Sequence, residues 1–307
     1  MKTELPLSLL VLAATAKAAG AQPIEVASDD VSTAGQRPPI AAVRPEAPKK
    51  PRITVDGGVD VVSEYISRGV AFSEKASVQP FLSVGIPLPN PAPGTLHGLR
   101  LVLGNWNSLQ GGGPGLGQPN RGDLSGWYES DLYASLSADL GGGWHASFGY
   151  YHYLSPSHSF RSYDELEWVV SWDDTGRWDD LMPFDGFALN PRLRVTQELG
   201  RPGRSDALYI QPSITPSVTV GGPERPVTIG VPVVLGFSDD YYDAKAGGHP
   251  GFGYLRTGLS ISVPLTGGGR SPLTLTGGVD VWLPNHKVAS GLDGTTVVGR
   301  IGLRWGF

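Results

Sequence analysis

The sequence predicts an all-β chain folded as an antiparallel transmembrane β-barrel, with twelve strands and both termini on the periplasmic side. Three observations predict it. First, apolar and polar residues alternate with period two from Ile53 onward, in segments of about 11 to 15 residues. Soluble strands usually run about 5–6 residues, and a tilted strand needs ~9–11 to cross a bilayer. Second, the polar face of these segments is small, often Gly or Ser, as a crowded lumen requires. Third, the chain finishes with Ile301, Leu303, Trp305 and Phe307 alternating with Gly and Arg. Composition agrees. The 43 Gly and 27 Pro supply turns, and the chain has no Cys. That removes disulfides and thiolate metal sites, but a barrel is closed by backbone hydrogen bonds and needs neither.

From the N-terminus, residues 1–21 read as a signal peptide. Lys2 precedes an apolar core from Leu7 to Ala16, too short to span ~30 Å as a helix, and Ala19-Gly20-Ala21 forms an A-x-A type cleavage site. The chain is formally −5 and this segment carries +1, so the remainder is −6. Such mild acidity gives no reason to expect a nucleic-acid partner. Residues 22–52, with Pro38, Pro39, Pro45, Pro48 and Pro51, read as a disordered periplasmic segment. The barrel then occupies residues 53–307.

Its strands are expected near 53–66, 77–88, 99–107, 126–140, 144–154, 162–172, 189–199, 207–220, 226–238, 254–265, 273–283 and 295–307. An even number suits a closed bacterial barrel. In the second, Val78, Leu82, Val84 and Ile86 oppose Ser77, Gln79 and Ser83. In the fourth, Leu132, Ala134 and Leu136 oppose Asp131, Tyr133 and Ser135. Connections after strands two, four, eight and ten are short and rich in Gly or Pro, as periplasmic turns are; those after one, three, nine and eleven are mostly longer, as outer loops are. The connection 173–188 breaks this rule by its length, and reads as a small plug or a misplaced strand. Amphipathic rings favour the headgroup level. Tyr65, Trp106, Tyr128, Phe237 and Tyr254 are therefore expected in an outer girdle, and Trp144, Trp172, Trp305 and Phe307 in an inner one.

Strand parity assigns charges to the lumen. Asp56, Asp60 and Glu64 turn inward from strand one, Glu129 and Asp131 from strand four, and Glu165 and Glu167 from strand six. Arg192 and Arg194 follow from strand seven, Arg256 from ten, Asp280 from eleven, and Arg300 and Arg304 from twelve. Opposite charges then fall on neighbouring strands, where each pair contributes about 0.2–1 kcal/mol. They form either a structural ladder or an acidic wall facing a basic one across water.

The first hairpin reads Tyr65-Ile-Ser-Arg68-Gly69-Val-Ala-Phe-Ser73, followed by Ser77-Val-Gln-Pro80. It resembles the Y-x-x-R-G start of the conserved hypothetical outer-membrane proteins of the Gcw_chp type. The motif covers about 20 of the 307 residues. The resemblance implies a small barrel with little defined biochemistry, for which transport is the usual guess. In the structural reading of the motif, Gly69 permits a tight turn and Arg68 anchors it to lumen carboxylates. A ligand role for Arg68 is the alternative.

No enzyme is expected. His145 and Ser147 share a face near the periplasmic end of strand five, and His152 and Ser155 lie near its outer end, but nothing supplies a third member. The His-x-Ser-Asn run of twelve-stranded phospholipase barrels is missing. His158, His249 and His286 lack ligand spacing, so neither metal nor cofactor is expected. The glycine run 111–117 is a loop, not a phosphate cradle. The leading expectation is a bacterial outer-membrane protein, surrounded by lipid, acting as a narrow porin-like channel for small solutes. The terminal Ile301, Leu303, Trp305 and Phe307 would be its assembly signal, read by the barrel-assembly machinery. The alternatives are a non-conducting structural or surface-interaction barrel and, third, a lipid-modifying enzyme.

Overall fold

The computed structural model describes residues 52–90, 96–111, 126–182, 186–221, 226–266 and 273–307. The signal peptide, the 22–52 segment except Arg52, and the glycine run beyond Gly111 lie outside the described residues.

Twelve strands form the wall. They are β1 (Thr54–Val62), β2 (Ser77–Pro87), β3 (His97–Gln110), β4 (Trp127–Gly141), β5 (Trp144–Leu154) and β6 (Tyr163–Trp172). Next come β7 (Phe187–Ala188 and Arg192–Leu199), β8 (Leu208–Ile214 and Ser217–Val220) and β9 (Val227–Gly230 and Val233–Ser238). Last are β10 (Phe252–Pro264), β11 (Leu273–Pro284) and β12 (Thr296–Gly306). Each pairs antiparallel with the next, and β12 returns to β1 with Val59 opposite Leu303. At that seam Val55 and Phe307 exchange both backbone hydrogen bonds, at 2.8 and 3.0 Å. The all-β closed barrel expected from the sequence is the fold.

Three strands are split, and proline accounts for it. Proline has no N–H to give a ladder. Pro191 interrupts β7, Pro216 interrupts β8 and Pro232 interrupts β9. The Val231 amide reaches across to the Pro216 carbonyl at 2.8 Å and keeps the two damaged strands together.

The wall is inverted relative to a soluble protein. Leu82, Leu103, Leu136, Phe148, Trp168, Leu259 and Ile301 point outward and are exposed on strands all round the ring. Ser83, Ser135, Thr196, Gln211, Ser260 and Thr276 face inward and are buried. An apolar belt this extensive is not left in water, and it is what a lipid-facing wall needs. At the end that holds the termini, Trp144 stacks on Trp172 with centroids 5.6 Å apart, and Phe307 is exposed.

The other girdle differs from expectation. Tyr65, Trp106, Tyr128 and Tyr254 are buried inside the barrel, and only Phe237 points out. Trp106 shares the inward face of β3 with Ser108, and Tyr254 that of β10 with Arg256. Tyr128 sits where the β3–β4 register slips, Ser108 facing Glu129 and Leu109 facing Trp127. A bulged residue is free to re-aim, and this one packs on Tyr65 and Phe160.

The connection 173–182 and 186–190 is organised by Asp174, whose buried carboxylate accepts the Leu189 and Asn190 amides at 2.8 to 3.1 Å and the Trp178 indole at 2.6 Å. Phe187–Ala188 then pairs with Ser217–Val218 and lengthens β7. The extra length is thus partly strand and partly a capped loop.

Candidate functional site in the barrel mouth

After Val62 the chain leaves the wall. Tyr65–Ser67 and Val70–Ser73 form a separate two-stranded hairpin, whose tip, Arg68-Gly69, has positive φ at both residues, 49° and 78°. The hairpin enters the lumen at the end opposite the termini. Tyr65 is fully buried and its hydroxyl donates to the Glu129 carboxylate of β4. Arg68 grips Glu165 of β6 with both terminal nitrogens and lies 4.8 Å over the ring of Tyr209 on β8. Ala71 donates to the Ser290 carbonyl at 2.8 Å. A Cβ on Gly69 would lie 2.4 Å from the Tyr254 ring, so the approach to β10 demands glycine.

Around the tip lies the largest apolar cluster. Ile66 and Ala71 of the hairpin join Tyr209, Tyr242, Tyr254, Trp282, Val288 and Leu292. These bulky side chains pack together inside the barrel at this level.

Several of the lumen charges pair between strands. Arg194 meets Glu167 at 3.3 Å, Arg300 meets Asp280 at 3.3 Å, Arg256 meets Asp280 at 3.4 Å, and Arg304 meets Asp60 at 3.2 Å. Asp131 is fully buried. Asp56 and Arg192 face the lumen nearer the termini and are only partly buried. Glu64 lies beyond the end of β1, partly exposed, where burial and the neighbouring Glu74 raise its pKa. The lumen therefore changes character along its axis, from packed rings at the hairpin to small polar residues and half-exposed charges toward the termini.

Above the hairpin is a cavity of about 480 Å³. It is lined by Tyr65, Arg68 and Glu129, by the rings of Tyr128, Tyr153, Phe160, Tyr163 and Tyr241, and by Arg161, Arg201 and Arg204 from loops. Arg201 pairs with Glu198 and lies 4.9 Å over Tyr163 and 5.3 Å over Tyr241. Burial opposes its charge, but Tyr163, Tyr241 and Glu198 hold its pKa above the ordinary arginine value. Arg204 is held by the Tyr241 carbonyl at 2.8 Å and reaches the exposed Asp243 at 3.7 Å. Asp206 fixes the turn that carries both arginines, accepting the Gly200 and Arg201 amides at 2.9 and 2.7 Å, bonds that lower its pKa.

Parity brought the wall carboxylates and arginines to the lumen, but it missed Arg161, Arg201, Arg204 and Tyr241, which sit on loops where no alternation operates. The only sequence signals there are the pair of arginines in Arg201-Pro-Gly-Arg204 and the tandem Tyr241-Tyr242. The histidines stay separate. His145 pairs with Asp139, and His152 with Asp164 at 2.6 Å. No group of three metal-ligating side chains occurs among the described residues.

Fold and site together define a closed antiparallel barrel of the outer-membrane type, its mouth narrowed by an inward hairpin. No family model and no curated protein matches the chain. Solved structures do resemble it. The chain is similar to the COG4313 outer membrane channel from Pseudomonas putida F1, at 12% identity over 85% of this chain and 96% of that one, with a TM-score of 0.47. It is also similar to a bacterial polysaccharide outer membrane secretin, at 10% identity over 83% and 97% with a TM-score of 0.39. A third is the beta domain of the Bordetella autotransporter BrkA, at 11% identity over 82% and 98% with a TM-score of 0.38.

Proposed function

We propose that this protein resides in the bacterial outer membrane, with its termini in the periplasm, and provides a narrow passage for small solutes. The inner wall carries the reading. Toward the termini it is lined by small polar residues such as Ser171 and Ser213, and Asp56 and Arg192 there are only partly buried, so solvent reaches the inner wall from that end. The apolar exterior supports the membrane location. The connections at the hairpin end carry most of the longer loops, which supports placing that end outside the cell.

A second reading has its own observation. The hairpin and the rings around Tyr254 and Trp282 pack the barrel at one level, as they would in a non-conducting structural barrel. Single-channel recording from refolded protein in a planar bilayer separates the two. Discrete conductance steps are the expected result. Persistent silence from protein whose gel mobility is heat-modifiable, and which is therefore folded, would favour the structural barrel.

A further inference from the structure

We propose that the mouth cavity is a binding site for a small organic anion with a flat apolar part, of the class of aromatic carboxylates. The proposal deepens the passage reading by naming a solute class, and rests on that reading only for the step from binding to transit.

The cavity's volume, about 480 Å³, lies within the ~300–1,000 Å³ range of small-molecule sites, and barrel mouths are a usual place for them. Its chemistry is two-sided. Rings such as Phe72 and Phe160, which line it and are only partly buried, offer flat apolar surface, and aromatic partners gain from offset or edge-on packing. Guanidinium groups offer the charge. Arg68 and Arg201 are matched by the buried Glu165 and Glu198. Arg204 has only the exposed Asp243, at 3.7 Å, and Arg161 is itself exposed. The cavity lining itself thus holds an excess of arginine over carboxylate, four against Glu129 alone, which the Tyr65 hydroxyl already engages, and arginine is the residue type best suited to bidentate carboxylate recognition. A cationic ligand is disfavoured twice. It would meet this excess, and arginines already lie over the rings of Tyr163 and Tyr241.

The test uses the full barrel refolded in detergent and titrated calorimetrically with benzoate, with neutral benzyl alcohol and cationic benzylamine as comparisons. Saturable benzoate binding is expected, with benzyl alcohol about tenfold weaker or more, a loss of ~1.4 kcal/mol, and benzylamine silent. Arg161→Gln changes an exposed side chain and should weaken benzoate without disturbing the fold; Arg204→Gln should weaken it further. Heat-modifiable mobility certifies each variant as folded. The proposal is overturned by no saturable binding to folded protein, by equal binding of benzoate and benzyl alcohol, or by benzoate binding that neither substitution alters. The two readings fail separately. Benzoate binding without conductance removes the passage and leaves the site; conductance without benzoate binding removes the site alone.

Discussion

Arg68 holds Glu165 through two parallel hydrogen bonds, 2.8 Å from Nη1 and 2.7 Å from Nη2, and both side chains are buried. The residues lie 97 positions apart, so this pair fastens the hairpin tip to the far wall. Removing one partner leaves an uncompensated buried charge, which costs about 3–5 kcal/mol. Arg68→Ala should therefore release the hairpin, speed tryptic cleavage after the exposed Lys75 that follows it, and raise conductance. The double variant with Glu165→Ala should recover part of the stability. Equal stability of the single and double variants would show that the pair is not the clamp.

Gly69→Ala tests the same docking by shape alone. The residue has φ 78°, and the added methyl would lie 2.4 Å from the Tyr254 ring. The left-handed backbone alone costs a non-glycine residue roughly 1–2 kcal/mol, before any clash. The hairpin should loosen with every charge in place. Smaller Tyr254 variants should relieve the steric part. An unchanged rate of tryptic cleavage after Lys75 in Gly69→Ala would contradict the close approach.

Selectivity should follow Arg192, which is partly exposed on the inner wall beside Ser171 and Ser213. Its neighbour Arg194 is a poorer test, because reversing it would set like charges against Glu167, 3.3 Å away. Arg192→Glu should move the reversal potential under a salt gradient toward cation preference. A folded, conducting variant with an unmoved reversal potential would remove Arg192 from the conduction path.

Alkali should loosen the mouth. Burial first, and neighbouring tyrosines second, push the Tyr242 hydroxyl well above the ordinary tyrosine value; burial also raises Tyr241, with Arg68 pulling the other way. A raised pKa in the folded state means that the stabilisation is complete below the unfolded value, about 10. It is then lost as pH rises through the folded values. Tyrosinate absorbance should therefore show a fraction of tyrosines ionising late, together with loss of heat-modifiable mobility. Tyr242→Phe should remove part of that alkaline loss. Complete ionisation near pH 10 with the barrel intact would contradict the packing.

The wall was legible in the sequence because lipid outside and water or packed polar groups inside enforce strict alternation. Leu132 against Asp131, or Ile301 against Arg300, is enough to place a strand and its lumen face. Legibility ended where chain left wall. Tyr65 and Arg68 find partners 64 and 97 residues away, and no local pattern encodes such distances. The aromatic girdle at that end was misplaced for a related reason. A ring near a strand end has the same local sequence whether it faces headgroups or lumen, and at Tyr128 a bulge decides. The prolines at 191, 216 and 232 were visible, but the pairing that survives them was not.

The seam between Val55 and Phe307 has a kinetic consequence. Loop-closure entropy must be met before a distant contact contributes anything, and this contact joins nearly the two extremes of the described chain. Until Phe307 arrives, β1 and β11 present open edges, which recruit other chains. Long-range closure of this kind favours a late ring formation, and the open edges are exposed to self-association in the interval before it.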